Sequence, residues 1–121
     1  MAALLAGGID GCEAHVTLVG TGTVPREAIQ PHRGWSDAEW EAAEARLRAR
    51  GWLDDAGRLT RDGQYARQSV EERTDVLAMR PWEALGVDGC ARLRELAFPL
   101  SDTIVRSGGI PVPNPMGLAW P

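Results

Sequence analysis

The chain has 121 residues, of which 44% are hydrophobic, enough for one domain with an ordinary core but not for two. Its net charge of −4 and its isoelectric point near 5.1 work against a dedicated nucleic-acid binder, which usually carries a basic surface. The sequence has neither an apolar run of the ~20 residues that span a bilayer nor the basic start of a secretory signal. We therefore expect a cytoplasmic protein without a membrane partner.

The first third of the chain predicts short helices separated by glycines. Residues 2–19 show helical spacing, with a break predicted at Gly7 and Gly8. The pattern begins at once, without a capping residue, so we expect a separate N-terminal half or a partner chain to cover this face. Residues 25–30 predict one or two further helical turns that end at Pro31. The apolar face of the first segment comprises Ile9, Cys12, Val16 and Val19.

Residues 36–60 carry the clearest local signals. The serine and the glutamate of the run SDAE form a capping box, and Gly51 stands where a helix-ending glycine belongs. The turn DDAG then separates two short predicted strands, WL and RLT. This order predicts a mostly α protein with an α+β element: a winged helix-turn-helix with a short two-stranded wing and flanking helices.

Two helices are predicted after the wing. Thr60 caps the first, which is expected to end near Arg80, before Pro81. The second is predicted over 87–107, with a kink or a split at Pro99. The expected core face of the first helix comprises Ala66, Val70, Arg73 or Thr74, and Leu77, and that of the second comprises Leu93, Ala97, Leu100 and Ile104.

The chain divides into two parts by composition. Residues 1–109 are predicted to form the winged-helix domain with its N- and C-terminal helices. Residues 110–121 form a proline-rich tail, which must be extended and is either disordered or laid across a groove.

These segments together resemble a known family. The run RGWSDAEWEAAEARLRARGWLDDAGRLTRDG, followed by VEERTDVLA and PWEALG, is similar to the C-terminal half of an actinobacterial family of SalK-like, helix-turn-helix-containing proteins. The earlier IDGCEA and the closing PNPMGL fit the same family. Its members carry an additional N-terminal helical half, so the resemblance implies that such a half is a partner of this chain.

A more distant resemblance is to the MarR winged-helix regulators. It rests on the order of a helix, GWL, a turn, RLTRDG and a long helix. This resemblance implies a homodimer built from the terminal helices and DNA contacts through the helix at 37–50 and the turn at 54–57. It also implies a small aromatic or phenolic ligand bound between the dimer helices and the winged module.

The charges on the predicted reading helix argue against DNA binding. Its leading end, which would meet bases and phosphates, carries Asp37, Glu39, Glu41 and Glu44. Double-stranded DNA is therefore an alternative partner that charge disfavours. The other interpretation of these charges is a solvated helix face with internal ion pairs, such as Glu44 with Arg48. If DNA is bound, the candidate contacts are Arg46, Arg48, Arg50 and Arg58.

Tryptophans surround the predicted reading helix and have two interpretations. Trp35, Trp40 and Trp52 form either part of the core or the wall of an apolar pocket. If the chain follows the MarR plan, a small aromatic ligand would lie near Trp35, Trp40, Arg73, Asp75 and Trp82.

The sequence offers little support for catalysis, a metal or a cofactor. Cys12 and His15 have a CxxH spacing, but His32 is the only other histidine and a structural zinc site needs four ligands. The same two residues could form a nucleophilic cysteine–histidine pair, but no oxyanion donor accompanies them. Cys12 and Cys90 belong to no CxxC pair, so reduced and mostly buried thiols are expected. We predict no catalytic residue, no metal and no cofactor.

The leading interpretation is a SalK-like or MarR-like regulatory or binding module with weakened DNA readout, which binds a partner chain or a small molecule. One alternative is a DNA-binding transcriptional regulator. The other is an accessory or enzymatic protein of secondary metabolism that acts with a separate N-terminal half.

Overall fold

The computed structural model describes residues 2–110, which form a mostly helical protein. Its helices are α1 (Ala2–Ala6), α2 (Gly11–Gly20), α3 (Arg26–Arg33), α4 (Asp37–Ala49) and α5 (Arg61–Arg106). The break at Gly7 and Gly8 separates α1 from α2, as predicted. The tail predicted to be extended lies outside the described residues from position 111 onward.

The two-stranded wing predicted after α4 is wrong. Residues 2–110 contain no strand, and the wing is reduced to one antiparallel bridge between Leu53 and Leu59. Only two residues precede the turn, so no ladder of backbone bonds can extend from it. Two backbone bonds flank the bridge, from the amide of Asp54 to the carbonyl of Arg58 at 2.9 Å and from the amide of Thr60 to the carbonyl of Trp52 at 3.0 Å. The amide of Leu59 donates to the carbonyl of Gly20 at the end of α2, at 2.9 Å. The returning segment is therefore held by α2 as well as by its own hairpin.

The ends of α4 follow the sequence signals. Ser36 accepts from the amide of Glu39, and the Glu39 carboxylate accepts from the amide of Ser36 at 2.9 Å, which completes the capping box. The helix stops before Gly51, whose φ of 72° is the left-handed conformation that glycine adopts without strain. Both predictions for α4 are confirmed.

Two helix ends predicted at prolines are wrong. Helix α3 runs through Pro31 to Arg33 and closes at Gly34, whose φ is 72°. Helix α5 continues through Pro81, and Pro99 also lies inside it with helical dihedrals. All three prolines are exposed, so water can reach the carbonyl that each one leaves without an amide partner.

Helix α5 bends at Gly86 rather than at a proline. Gly86 has φ 72° and ψ 170°, and it is the residue at which two helical segments meet. We refer to residues 61–85 as the first arm and to residues 87–106 as the second arm. Gly108, with φ 76°, follows the end of the second arm, as the sequence predicts.

The core lies between α2, α3, α4 and the bridge. Side chains from these elements form one buried cluster, which includes Val16, Ile29, Trp40, Leu47 and Leu53. Trp40, Ala43 and Leu47 recur on one face of α4 and have no solvent exposure. The cluster positions α4 firmly against α2 and α3.

Helix α5 contributes little to this core. Ala66 and Val70 are half-buried, and the start of the first arm packs on α1. The predicted core face does not continue, because Leu77 is 60% exposed. The face predicted for the second arm is also exposed at Leu93, Leu100 and Ile104. Both expectations were wrong because the described domain offers no surface against which these arms could pack.

Candidate functional site

Helices α3 and α4 are joined by a three-residue connection, 34–36, and side chains of α3 bind the start of α4. Arg26 of α3 forms an ion pair with Asp37 at 2.6 Å. The side-chain amide of Gln30 donates to Asp37 at 2.9 Å and to the carbonyl of Trp35 at 3.1 Å. The start of α4 is thus fixed to α3, which is the arrangement of a helix-turn-helix.

A tryptophan anchors the connection to α2. The indole nitrogen of Trp35 donates to Nδ1 of His15 at 3.0 Å. Nδ1 of His15 must therefore be unprotonated in the folded protein. Burial lowers the pKa of His15, and the nearby charge of Arg33 lowers it further. The neutral imidazole therefore holds the turn in place.

Arg46 joins the end of α4 to the start of α2. Asp10 and Glu13 form a capping box at that start, because each accepts from the other's amide. Nε of Arg46 donates to Glu13 at 2.9 Å, and its Nη2 donates to Asp10 at 2.5 Å. Glu13 is 2% exposed, so this ion pair is buried on its acidic side. The same two carboxylates cap one helix and bind the other.

The three remaining candidate arginines are also paired within the domain. Arg50 lies 3.7 Å from the Glu13 carboxylate, with its guanidinium 5.3 Å from the centre of the Trp52 ring. Arg48 forms an ion pair with Glu44 at 3.0 Å.

Arg58 closes the turn through Asp54. Its Nε lies 3.3 Å from the Asp54 carboxylate, which also accepts from the Arg58 amide at 2.8 Å. The hydrogen bond from this amide is the main reason why the pKa of Asp54 is lowered. All four arginines proposed for DNA contact therefore form ion pairs with carboxylates of the same domain.

The leading end of α4 presents acids to solvent. Asp37, Glu39 and Glu41 are exposed. The pKa of Glu39 is lowered by its hydrogen bonds with Ser36, so this carboxylate is charged at neutral pH. Arg33, in the last turn of α3, is exposed and forms no ion pair within residues 2–110.

The structure distributes the residues of the predicted ligand pocket over several places. Trp40 lies in the core, and its indole nitrogen donates to Glu44 at 3.0 Å. Trp35 lines a cavity of about 330 Å³ between α2 and α4, whereas Arg73 lines one of about 220 Å³ between α1 and the first arm. Asp75 and Trp82 are exposed on the first arm.

The three residues considered for chemistry, Cys12, His15 and His32, have different surroundings. His15 accepts from Trp35, and His32 is exposed at the end of α3. Cys12 is buried against the backbone of Glu39, and burial raises the pKa of its thiol. Within residues 2–110, no cluster of three or more histidine, cysteine or acidic side chains could hold a metal ion. In the same range, no helix is both long and apolar enough to cross a membrane.

Comparison with known proteins identifies the family but not a characterised relative. No curated protein and no solved structure matches the chain. A family model described as a helix-turn-helix family matches residues 1–111, a range that includes α3, the connection and α4. Helix-turn-helix modules typically bind DNA through the second helix of the pair. Sequence and geometry agree, and the chain belongs to this helix-turn-helix family.

Proposed function

We propose that this chain is a regulatory or binding module in which the helix-turn-helix has weakened DNA readout and the partner is a protein chain or a small molecule. The observation that carries the proposal is the pairing of Arg46, Arg48, Arg50 and Arg58 with carboxylates of their own domain. The resemblance to SalK-like proteins supports a role beside a separate N-terminal half.

A DNA phosphate would have to displace a carboxylate of this domain from each of these arginines. Phosphate contacts supply most of the affinity of such modules, through arginine and lysine side chains that release counterions. A phosphate that captured Arg46 would leave Glu13 buried with its charge less well compensated, which is costly. The exposed acids at the start of α4 would repel the same phosphate.

Binding to duplex DNA tests this proposal. Fluorescence anisotropy with a mixed-sequence DNA duplex should show no saturable binding at low salt, roughly 50 mM. Ala38→Arg/Glu41→Arg serves as a positive control, because both positions are exposed near the start of α4 and the added cations should create salt-dependent binding. Tight binding by the unmodified chain, lost in Arg46→Ala and weakened by salt, would refute the proposal.

The second candidate is a DNA-binding transcriptional regulator. Membership of the helix-turn-helix family favours it, and Arg33 offers one exposed cation beside the connection. This candidate predicts that Arg33→Ala weakens duplex binding, whereas the leading proposal predicts no binding to weaken. The same anisotropy measurement therefore separates the two.

The first arm is the surface that we propose for a helical partner chain. Val70 is half-buried beside α1, and Leu77 and Ala84 follow it at intervals of seven residues, which places all three on one side of the helix. The face that packs on α1 thus continues in exposed form beyond it. A second copy of the chain is the partner that we test.

The mass in solution tests this partner. A dimer that Leu77→Ser converts to a monomer, while Glu83→Ser on the same arm does not, would support pairing along this face. A monomeric unmodified chain would refute it for a second copy.

A small aromatic ligand is the other proposed partner. The cavity between α1 and the first arm supports it, because Trp52 supplies an aromatic wall and Arg73 forms no ion pair within residues 2–110. An aromatic carboxylate such as benzoate is a suitable probe. Benzoate should quench tryptophan fluorescence in the unmodified chain and less so in Arg73→Gln.

A further inference from the structure

The cavity between α2 and α4 has the size of a small ligand site. Its volume is about 330 Å³, at the lower end of the range of ligand-binding pockets, roughly 300–1,000 Å³. Trp35 of the connection lines it, together with Gly11 and Cys12 of α2 and Ala42 and Arg46 of α4. We call this space the α2–α4 cavity. None of its described lining residues also lines the cavity between α1 and the first arm.

One wall of the α2–α4 cavity consists of an indole ring beside small residues. A Cβ built on Gly11 would lie 3.5 Å from Cζ2 of Trp35, so the six-membered part of the ring lies next to α2 with no side chain between them. The indole nitrogen is bound to His15 at 3.0 Å, which fixes the ring. Ala42 adds only a methyl group to the lining. The cavity therefore has room for a flat apolar group next to a fixed aromatic ring.

Negative charge outweighs positive charge along the same lining. Asp10 and Glu39 contribute two carboxylates, and Arg46 contributes one guanidinium. Arg46 is paired with Asp10 and with the buried Glu13, so its charge is compensated without Glu39. Both hydrogen bonds that the Glu39 carboxylate accepts from Ser36 use the same oxygen, Oε2. Its Oε1 is therefore left for a further donor.

The thiol of Cys12 experiences this charge balance from inside the lining. Burial raises its pKa, and the negative charges of Asp10, Glu39 and Glu13 raise the pKa further. The positive charge of Arg46 opposes them. The same carboxylates would attract a cation that entered the cavity. Residues 2–110 contain no group of three or more histidine, cysteine or acidic side chains that could hold a metal ion, so an organic cation is the class that matches.

We propose that the α2–α4 cavity binds a small organic ammonium ion that carries an aromatic group. The aromatic group packs beside the ring of Trp35, and the ammonium donates a charge-assisted hydrogen bond to Glu39. Such a ligand contacts both helices that Arg46 joins, so its binding stabilises the folded module. This site goes beyond the function proposed above, because the cavity considered there lies elsewhere and was assigned an aromatic carboxylate.

Calorimetric titration with phenethylamine tests the proposal, since its amine is protonated at neutral pH. The unmodified chain should bind it saturably. Phenylacetate, which has the same ring and the opposite charge, should bind at least about tenfold more weakly, because it forms no charge-assisted bond with Glu39. Equal affinities for the two probes would overturn the assignment of a cation, and the absence of saturable phenethylamine binding would overturn the site.

Matched substitutions on α4 locate the bound probe. Ala42→Leu fills the cavity and should weaken phenethylamine binding on the order of tenfold or more, whereas Ala45→Leu adds the same side chain at an exposed position outside the lining and should not. Glu39→Gln keeps an acceptor for the helix cap, removes the charge and should also weaken binding. Equal affinities of Ala42→Leu and Ala45→Leu would contradict the proposal. Loss of phenethylamine binding in Arg73→Gln would contradict it too, because the probe would then occupy the cavity beside α1.

Discussion

Glu13→Gln tests the connection between α2 and α4 most directly. The buried carboxylate accepts from the Asp10 amide at 2.9 Å and from Arg46 at 2.9 Å. Glutamine keeps the size of the side chain and an acceptor for the capping bond. It removes the charge that faces Arg46 and Arg50. The local helix cap is therefore retained while the bond between the helices is lost.

The expected loss follows from the exposure of the two partners. A hydrogen bond to a charged group contributes about 1.5–3 kcal/mol to stability. Glu13 is 2% exposed but the Arg46 side chain is 46% exposed, so solvent screening places the effect of Glu13→Gln toward the lower end, at about 2 kcal/mol.

Urea unfolding followed by tryptophan fluorescence measures this loss, since Trp40 lies in the core. Glu41→Gln is the control, because Glu41 is exposed on α4 and forms no ion pair in residues 2–110. The control should change the free energy of unfolding by less than about 0.5 kcal/mol. Equal free energies of unfolding for Glu13→Gln and Glu41→Gln would refute the idea that Glu13 holds α4 in place.

Two further predictions concern pH and backbone packing. Folding lowers the pKa of His15, so the unfolded chain binds a proton before the folded protein does as the pH falls below about 6.5. The free energy of unfolding should therefore decrease in this pH range. His15→Gln should remove the part of this decrease that His15 causes, when urea unfolding is compared at pH values of about 5.5 and 7.5. A Cβ on Gly63 would lie 2.1 Å from the carbonyl oxygen of Trp52, so Gly63→Ala should cost at least about 2 kcal/mol. Gly89→Ala, whose Cβ would meet only the movable side chain of Leu85, should be neutral or stabilising in the same unfolding assay.

Local signals in the sequence predicted α4 well. The capping box at Ser36, the stop at Gly51 and the cap at Thr60 each depend on residues within one helical turn, and all three are present. The second capping box, at Asp10 and Glu13, has the same kind of local signal. It was missed because residues 2–19 were interpreted from their apolar spacing alone.

Features that depend on distant residues could not be predicted in this way. The amide of Leu59 donates to the carbonyl of Gly20, which lies far from it in sequence, and the local turn signal does not indicate this bond. The pairing of Arg46 with Glu13 spans 33 positions, and nothing in the spacing of either residue indicates the other. The sequence showed acids and arginines on α4, but only the folded arrangement reveals which acid neutralises each arginine.

The backbone conformation of Gly86 sets the direction of the second arm. Its φ of 72° and ψ of 170° belong to a region that is essentially restricted to glycine. The second arm is ~30 Å long at ~1.5 Å per residue, so a rotation of ~20°, within the ordinary scatter of backbone dihedrals, would move its far end by ~10 Å. Any other residue at this position would force the arm into a different direction. The direction of the second arm therefore depends on the absence of a side chain at position 86.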